Sequence, residues 1–160
     1  MRILAIDPGY ERLGIAIIEK SGAGRSKETL IYSDCFKTDP KTAHSERLGK
    51  IGAEIERIIA EYQPEAMSME SLFFTANQKT AIKVAEARGV MLFLAAKNGL
   101  KVFEYGPGEI KLAVTGYGKS DKPAVINMVE RLVKIDKKIK HDDEYDAIAV
   151  GLTCFAIERF

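Results

Sequence analysis

Arg2-Ile3-Leu4-Ala5-Ile6-Asp7-Pro8-Gly9-Tyr10-Glu11-Arg12-Leu13-Gly14-Ile15-Ala16-Ile17-Ile18 sets two aliphatic runs on either side of a Pro-Gly break. Short aliphatic runs bounded by turn residues read as buried strands, and two in succession read as a hairpin. A Gly/Ser-rich turn over 21–26 leads into Thr29 to Phe36, a third strand. Then the period changes. Leu48, Ile51, Ile55, Ile58, Ile59 and Tyr62 recur at helical spacing, which predicts an amphipathic helix from Thr42 to Tyr62, ended by Pro64. Ala66 to Glu70 is a fourth strand and Val102 to Tyr105 a fifth. Between them, Asn77 as N-cap and Gly99 as stop bracket a helix over Asn77 to Asn98. Within it Ala81, Ala85 and Gly89 form a stripe of small residues, while Val90 to Leu94 is apolar on more than one face, so this helix is expected to meet both its own core and a partner helix. Further helices are expected over Pro107–Val114, Lys122–Val133 and Asp143–Glu158. Three antiparallel strands followed by alternating strands and helices make a mixed α/β sheet covered by helices, and 160 residues suit one domain, 1–160.

Composition narrows the class. With 46% hydrophobic and 29% charged residues the chain is an ordinary globule, long enough to bury a core without staples. Cys35 and Cys154 match no metal-ligand spacing and read as buried free thiols in a reducing compartment. The longest uncharged apolar stretch, Ala147 to Ile157, is far below the roughly 20 residues of a membrane helix, and Asp7 interrupts any signal-peptide run. A soluble, cytoplasmic protein is expected. Lys and Arg total 24 and Asp and Glu 23, a net charge of +1 that argues, at face value, against a nucleic-acid partner. The total hides a division. Residues 111–140 hold eight Lys or Arg against three acids, and 141–160 hold five acids against one Arg.

The acids carry the chemistry. Asp7 ends the first strand beside a glycine turn, where clefts form at a sheet's mouth, although Asp-Pro-Gly also makes a plain Asx turn. Glu70 ends the fourth strand, and a glutamate there is either solvated or in need of a partner. In His141-Asp142-Asp143-Glu144-Tyr145-Asp146, the helix dipole accounts for Asp142, Asp143 and Glu144 in a first turn. It does not account for Asp146, which opens an apolar helix and shares a face with Asp143 and Asp142. An inward carboxylate in that setting needs a counter-charge, and a cation is the economical one. These acids supply enough oxygen ligands for Mg²⁺ or Mn²⁺, and two such ions about 4 Å apart are the usual device for phosphodiester cleavage.

The chain resembles the RuvC-type Holliday-junction resolvases of the ribonuclease-H-like superfamily. The resemblance rests on Ile6-Asp7-Pro8-Gly9 with Gly14-Ile15-Ala16, Met69-Glu70-Ser71-Leu72-Phe73, Ala87-Arg88-Gly89-Val90, Phe103-Glu104-Tyr105, Gly116-Tyr117-Gly118 with Lys122, and Asp143-x-x-Asp146-Ala147-Ile148-Ala149. It implies a ribonuclease-H-like mixed five-stranded sheet flanked by helices on both faces. It also implies a homodimer, here through the Asn77–Asn98 helix, that nicks two opposed strands of a four-way junction with two Mg²⁺ ions per site, Mn²⁺ substituting, and a branch-migration motor as partner. It carries the metal-binding catalytic roles onto Asp7, Glu70, Asp143 and Asp146; Asp142 competes with Asp143, and the family's D-x-x-D spacing favours Asp143.

Phe73 and Phe74 either staple the next helix or stack on a base unpaired at the junction, and the resemblance favours stacking for Phe73. Lys111, Lys119 and Lys122 flank the Gly116-Tyr117-Gly118 turn and are candidates for DNA contact, a solvated surface lysine being the ordinary alternative for each. The resemblance places Lys111 and Lys122 at basic family positions, which suits phosphate contact or transition-state charge stabilisation. Gly118-Lys119-Ser120 is not a nucleotide phosphate loop, because Ala113 stands where that motif needs glycine. An actin-like ATPase would require a second lobe that this length does not hold. A junction binder without catalysis would gain affinity by losing acids near phosphate. A ribonuclease-H-like nuclease acting on another structured nucleic acid is the nearest alternative.

Overall fold

The computed structural model describes residues 1–21, 27–71 and 78–160, with side chains throughout except at Gln78, Lys79 and Thr80. Strands β1 (Arg2–Asp7), β2 (Arg12–Lys20), β3 (Glu28–Lys37), β4 (Ala66–Glu70) and β5 (Lys101–Tyr105) form one sheet in the order β3-β2-β1-β4-β5. The β1–β2 and β2–β3 pairs are antiparallel, and β4 runs parallel to β1 and β5. Among the described residues the helices are α1 (His44–Tyr62), α2 (Gln78–Lys97), α3 (Pro107–Thr115), α4 (Lys122–Leu132) and α5 (Asp142–Ile157). None is long and apolar enough to cross a membrane.

The elements follow the expected order, and their ends shift for local reasons. α1 starts two residues later than Thr42, because the Thr42 amide donates to Asp39 O in a preceding turn. The expected start of α2 at Asn77 lies outside the described residues. At its far end Asn98 falls beyond the helix, its side chain donating to Leu94 O at 2.8 Å before Gly99 turns the chain at φ +67°. α5 takes in Asp142 as well as Asp143 and stops at Ile157. Cys35 and Cys154 are free and buried, and burial pushes the Cys35 thiol up to about 11.

Strand alternation divides the core in two. Ile3 and Ala5 of β1, with Ala16 and Ile18 of β2, pack under α3, α4 and α5. Leu4 and Ile6, with Ile15 and Ile17, face α1 and α2. Both sheet faces are therefore covered, as a central β1 with buried side chains on each side requires.

On the first face α5 lies directly across β1 and β2. Two glycines permit that approach. A Cβ on Gly151 would stand 2.7 Å from Ile18 Cδ1 and 3.0 Å from Ala5 Cβ. A Cβ on Gly14 would overlap the Asp143 carbonyl oxygen, at 1.9 Å. Gly151→Val overpacks this contact and is expected to cost about 2–3 kcal/mol, a fall of roughly 5–10 °C in Tm. A thermal melt unchanged from wild type would show that α5 does not rest on this contact.

Candidate active site

Register brings the first two acids together. Ile6 pairs with Met69 across the parallel β1–β4 ladder, so the next residues, Asp7 and Glu70, end neighbouring strands side by side. Asp7 shares the parity of Ile3 and Ala5, and Glu70 that of Ala66, so both project on the α5 side of the sheet. Asp7 is also the register partner of Gly14, over which the Asp143 backbone is seated. One missing Cβ therefore sets the first turn of α5 against Asp7, and Asp146 follows three residues along the helix.

The four carboxylates act on one another. Burial, and then the charges of Asp146, Glu70 and Asp143, push the Asp7 carboxyl up to about 8. Glu70 is raised by burial and Asp146, and Asp146 by burial, with Asp142 and Asp143 adding to it. Like charges held this close at a sheet's mouth destabilise the site unless protons or cations compensate. Two basic groups do so in part. Lys122 Nζ donates to Asp146 Oδ2 at 2.8 Å and to Asp142 Oδ2 at 2.5 Å, and although burial works against its charge these bonds hold the ammonium well above the usual lysine range. The counter-charge that an inward Asp146 needs is thus Lys122. Arg12 Nε approaches Asp143 Oδ2 at 3.2 Å, an ion pair without hydrogen-bond geometry that leaves this buried oxygen with no hydrogen bond among the described residues.

Glu70, Lys111, Lys122 and Asp146 line one cleft of about 220 Å³, with Pro107 and Ile110 as an apolar wall. Among the described residues no three acidic, imidazole or thiol side chains already form a closed metal cage. The donor set nevertheless fits a hard divalent cation: it is all oxygen, mutually repulsive, and includes the unbonded Asp143 Oδ2. Asp143 acts on Asp7 whereas Asp142 is turned to Lys122, an arrangement that favours Asp143 of the two as a ligand.

The sequence profile described as crossover junction endodeoxyribonuclease RuvC matches residues 3–154. Over 158 residues the chain is 44% identical to the crossover junction endodeoxyribonuclease RuvC of Thermosipho melanesiensis, covering 99% of this chain and 98% of the relative. The Thermus thermophilus RuvC structure superposes with a TM-score of 0.87 at 32% identity, over 98% of this chain and 94% of that one. T. thermophilus RuvC in complex with Holliday junction substrate gives the same TM-score at 33% identity, over 96% and 92%. The chain belongs to the RuvC family.

Its fold is accordingly the ribonuclease-H-like fold of that family. Two of the RuvC motifs prove to be partners: Arg88 of α2 forms an ion pair with Glu104 of β5, tying helix to sheet. Lys119 is not brought into the cleft; it lies exposed on the turn after α3. Phe73 and Phe74 lie outside the described residues. Glu144, expected as a dipole-favoured surface acid, is instead buried, accepting from Ser33 Oγ at 2.6 Å and paired with Lys137 at 2.5 Å. Its burial depends on β3, whose register the sequence does not show. Arg12 likewise has no signal in the sequence, because its partner Asp143 is remote along the chain.

Asp7 generates a pH prediction. The metal-free folded protein keeps the Asp7 proton up to about pH 8, whereas the unfolded chain releases it near 3.8, so stability falls as pH rises between those values. Asp7→Asn, a neutral isostere, is expected to melt about 3–8 °C above wild type at pH 8 in chelator, the gap closing below pH 4. Equal melting temperatures at pH 8 would contradict this electrostatic account.

Proposed function

We propose that this chain, acting as one nuclease domain over residues 1–160, resolves four-way DNA junctions by paired, symmetric nicks in recombination and repair. The observation that carries the reading is the gathering of the strand-end acids Asp7 and Glu70 with Asp143 and Asp146 of α5, beside Lys111 and Lys122, in a chain matched along its length by the RuvC family. T. thermophilus RuvC, which shares this fold closely, has been seen in complex with a Holliday junction.

In this reading Asp7, Glu70, Asp143 and Asp146 hold two Mg²⁺ ions, for which Mn²⁺ substitutes. When bound, such a pair supplies a water of lowered pKa and neutralises the leaving oxygen. Asp7 yields its proton as the site is loaded, since the carboxylate and not the acid is the ligand. Lys122, released from Asp146, and Lys111, which lines the same cleft, face the phosphate. Lys119 meets the DNA backbone from its exposed turn, and Phe73, with Phe74 behind it, stacks on an unpaired base at the crossover.

Two opposed nicks require two sites, so the active unit is a homodimer. Support comes from α2, whose outward face shows Ile82 and Phe93, 59% and 67% exposed, around a Gly89 with open space above it. Large apolar side chains on a helix already packed on its other face mark a surface that a second copy covers. A branch-migration motor presents junctions to the dimer, in the cytoplasm.

On a synthetic mobile junction with Mg²⁺ the wild type should give paired, ligatable nicks. Asp7→Asn should lower the rate on the order of 10³-fold while junction binding is kept. Equal cleavage of linear duplex, or an active Asp7→Asn protein, would reject the proposal. Ala85→Glu or Phe93→Glu should shift the light-scattering mass from dimer toward monomer, and an unchanged dimer would reject α2 as the interface.

A further inference from the structure

A second cleft, of about 330 Å³, opens on the acidic cluster and shares no lining residue with the first. Gly9, Tyr10, Glu11, Arg12, Lys83, Val84 and Asp143 line it, Glu11 being exposed. Asp143 faces this cleft and Asp146 the other, so the carboxylates form the partition between the two.

Its floor is rigid. Tyr10 is buried, its hydroxyl bonded to His44 Nδ1 at 2.7 Å, its ring 3.8 Å from the buried Arg47 guanidinium. Arg47 and Thr38 also hold the Tyr10 carbonyl. Over this fixed ring stands the Lys83 ammonium, 5.4 Å from the centroid. Arg12 is half exposed, lines the cleft and is paired with Asp143 through Nε, so the rest of its fork of donors is not taken up by that pair. Arg12 and Lys83 give the cleft two cationic donors for a backbone phosphate, opposed beyond Asp143 by the exposed Glu11.

Arg12 and a divalent cation also compete for one charge. Asp143 Oδ2 is the oxygen that Arg12 approaches and is itself one of the assigned ligands. We propose that this second cleft is a phosphate subsite for the junction strand beyond the scissile bond, and that Arg12 couples it to the metal. With no metal bound the guanidinium neutralises Asp143. Once a cation takes that carboxylate, the two positive charges repel and Arg12 turns to the strand. Metal and DNA thereby favour one another through Arg12, in addition to any contact at the scissile phosphate, a reciprocal linkage. The inference rests on the junction-resolvase reading, and its test separates the two.

The full-length protein and its variants Arg12→Gln, Arg12→Lys and Lys83→Gln are compared in two measurements. The first is the rise in Tm on titrating Mg²⁺ without DNA. Removing the competing charge in Arg12→Gln should tighten the apparent cation affinity about 2- to 5-fold, whereas Arg12→Lys and Lys83→Gln should stay near wild type. The second is junction binding in Ca²⁺ at several salt concentrations. Arg12→Gln and Lys83→Gln should each weaken binding about 5- to 10-fold and reduce the slope of log affinity against log salt by about 0.9, the signature of one lost phosphate contact. Arg12→Lys should retain most of that slope. Tighter metal with weaker DNA in Arg12→Gln is a pairing that general loss of structure does not produce. Unchanged junction affinity and slope in both Arg12→Gln and Lys83→Gln would overturn the subsite, and an unchanged cation affinity in Arg12→Gln would overturn the coupling. A wild type that binds linear duplex as tightly as the junction would instead overturn the resolvase reading beneath both.

Discussion

The close seat of α5 on β1 and β2 is the constraint from which the site follows. A helix normally keeps its backbone away from a sheet by the thickness of two side chains. Here Gly151 meets Ile18 and Ala5, and Gly14 receives the Asp143 carbonyl. That carbonyl belongs to the first turn of the helix and Gly14 is the register partner of Asp7. The contact that packs the core thus also sets how far Asp143 and Asp146 stand from the strand-end acids. Stability and site geometry share one interface, so drift of α5 would loosen both together.

The seat brings together groups that repel. Hydrophobic burial along α5, where residues 147–155 are buried, provides the free energy that keeps Asp143 and Asp146 near Asp7 and Glu70. Binding energy of a cation is then larger, since loading relieves repulsion already present in the folded protein. Lys122 and Arg12 hold the interim: each pairs with an acid of the cluster, and each lies in a different cleft. Each cleft is thus lined by both cations and carboxylates, Lys111 and Lys122 with Glu70 and Asp146 in one, Arg12 and Lys83 with Glu11 and Asp143 in the other.

How much of this is legible in the sequence depends on how local the cause is. Asp7 and Glu70 can be read as paired because strand ends, parity and a glycine turn are short-range signals. The two-sided core follows from the alternation in Ile3 to Ile6 and Ile15 to Ile18. Gly14 is visible as a glycine, yet its purpose appears only when register places it under Asp143. Glu144 misleads: a first-turn acid beside two aspartates is ordinarily solvated, and only Ser33 on β3 with Lys137 before α5 makes it a buried clamp. Arg12 has no local signal, because a cation opening β2 acquires meaning from a helix at the other end of the chain. Arg88 with Glu104 is the reverse case, a pair of motifs that reads as functional and serves to tie α2 to β5.

The same distinction settles the charge balance. A total of +1 looks indifferent to DNA, but folding separates the charges that the sum cancels. The acids of residues 141–160 are partly consumed within the protein: Glu144 by Lys137 and Ser33, Asp142 by Lys122, Asp143 by Arg12. Metal taken up by Asp143 and Asp146 would remove the claim of those two on Arg12 and Lys122, adding positive charge at the site and freeing Arg12, while Lys122 keeps its bond to Asp142. The field presented to a phosphate backbone therefore changes by more than the charge of the ions. If the proposed metal coupling holds, near-neutrality is consistent with it, because a chain that was basic throughout would hold DNA whether or not its site was loaded.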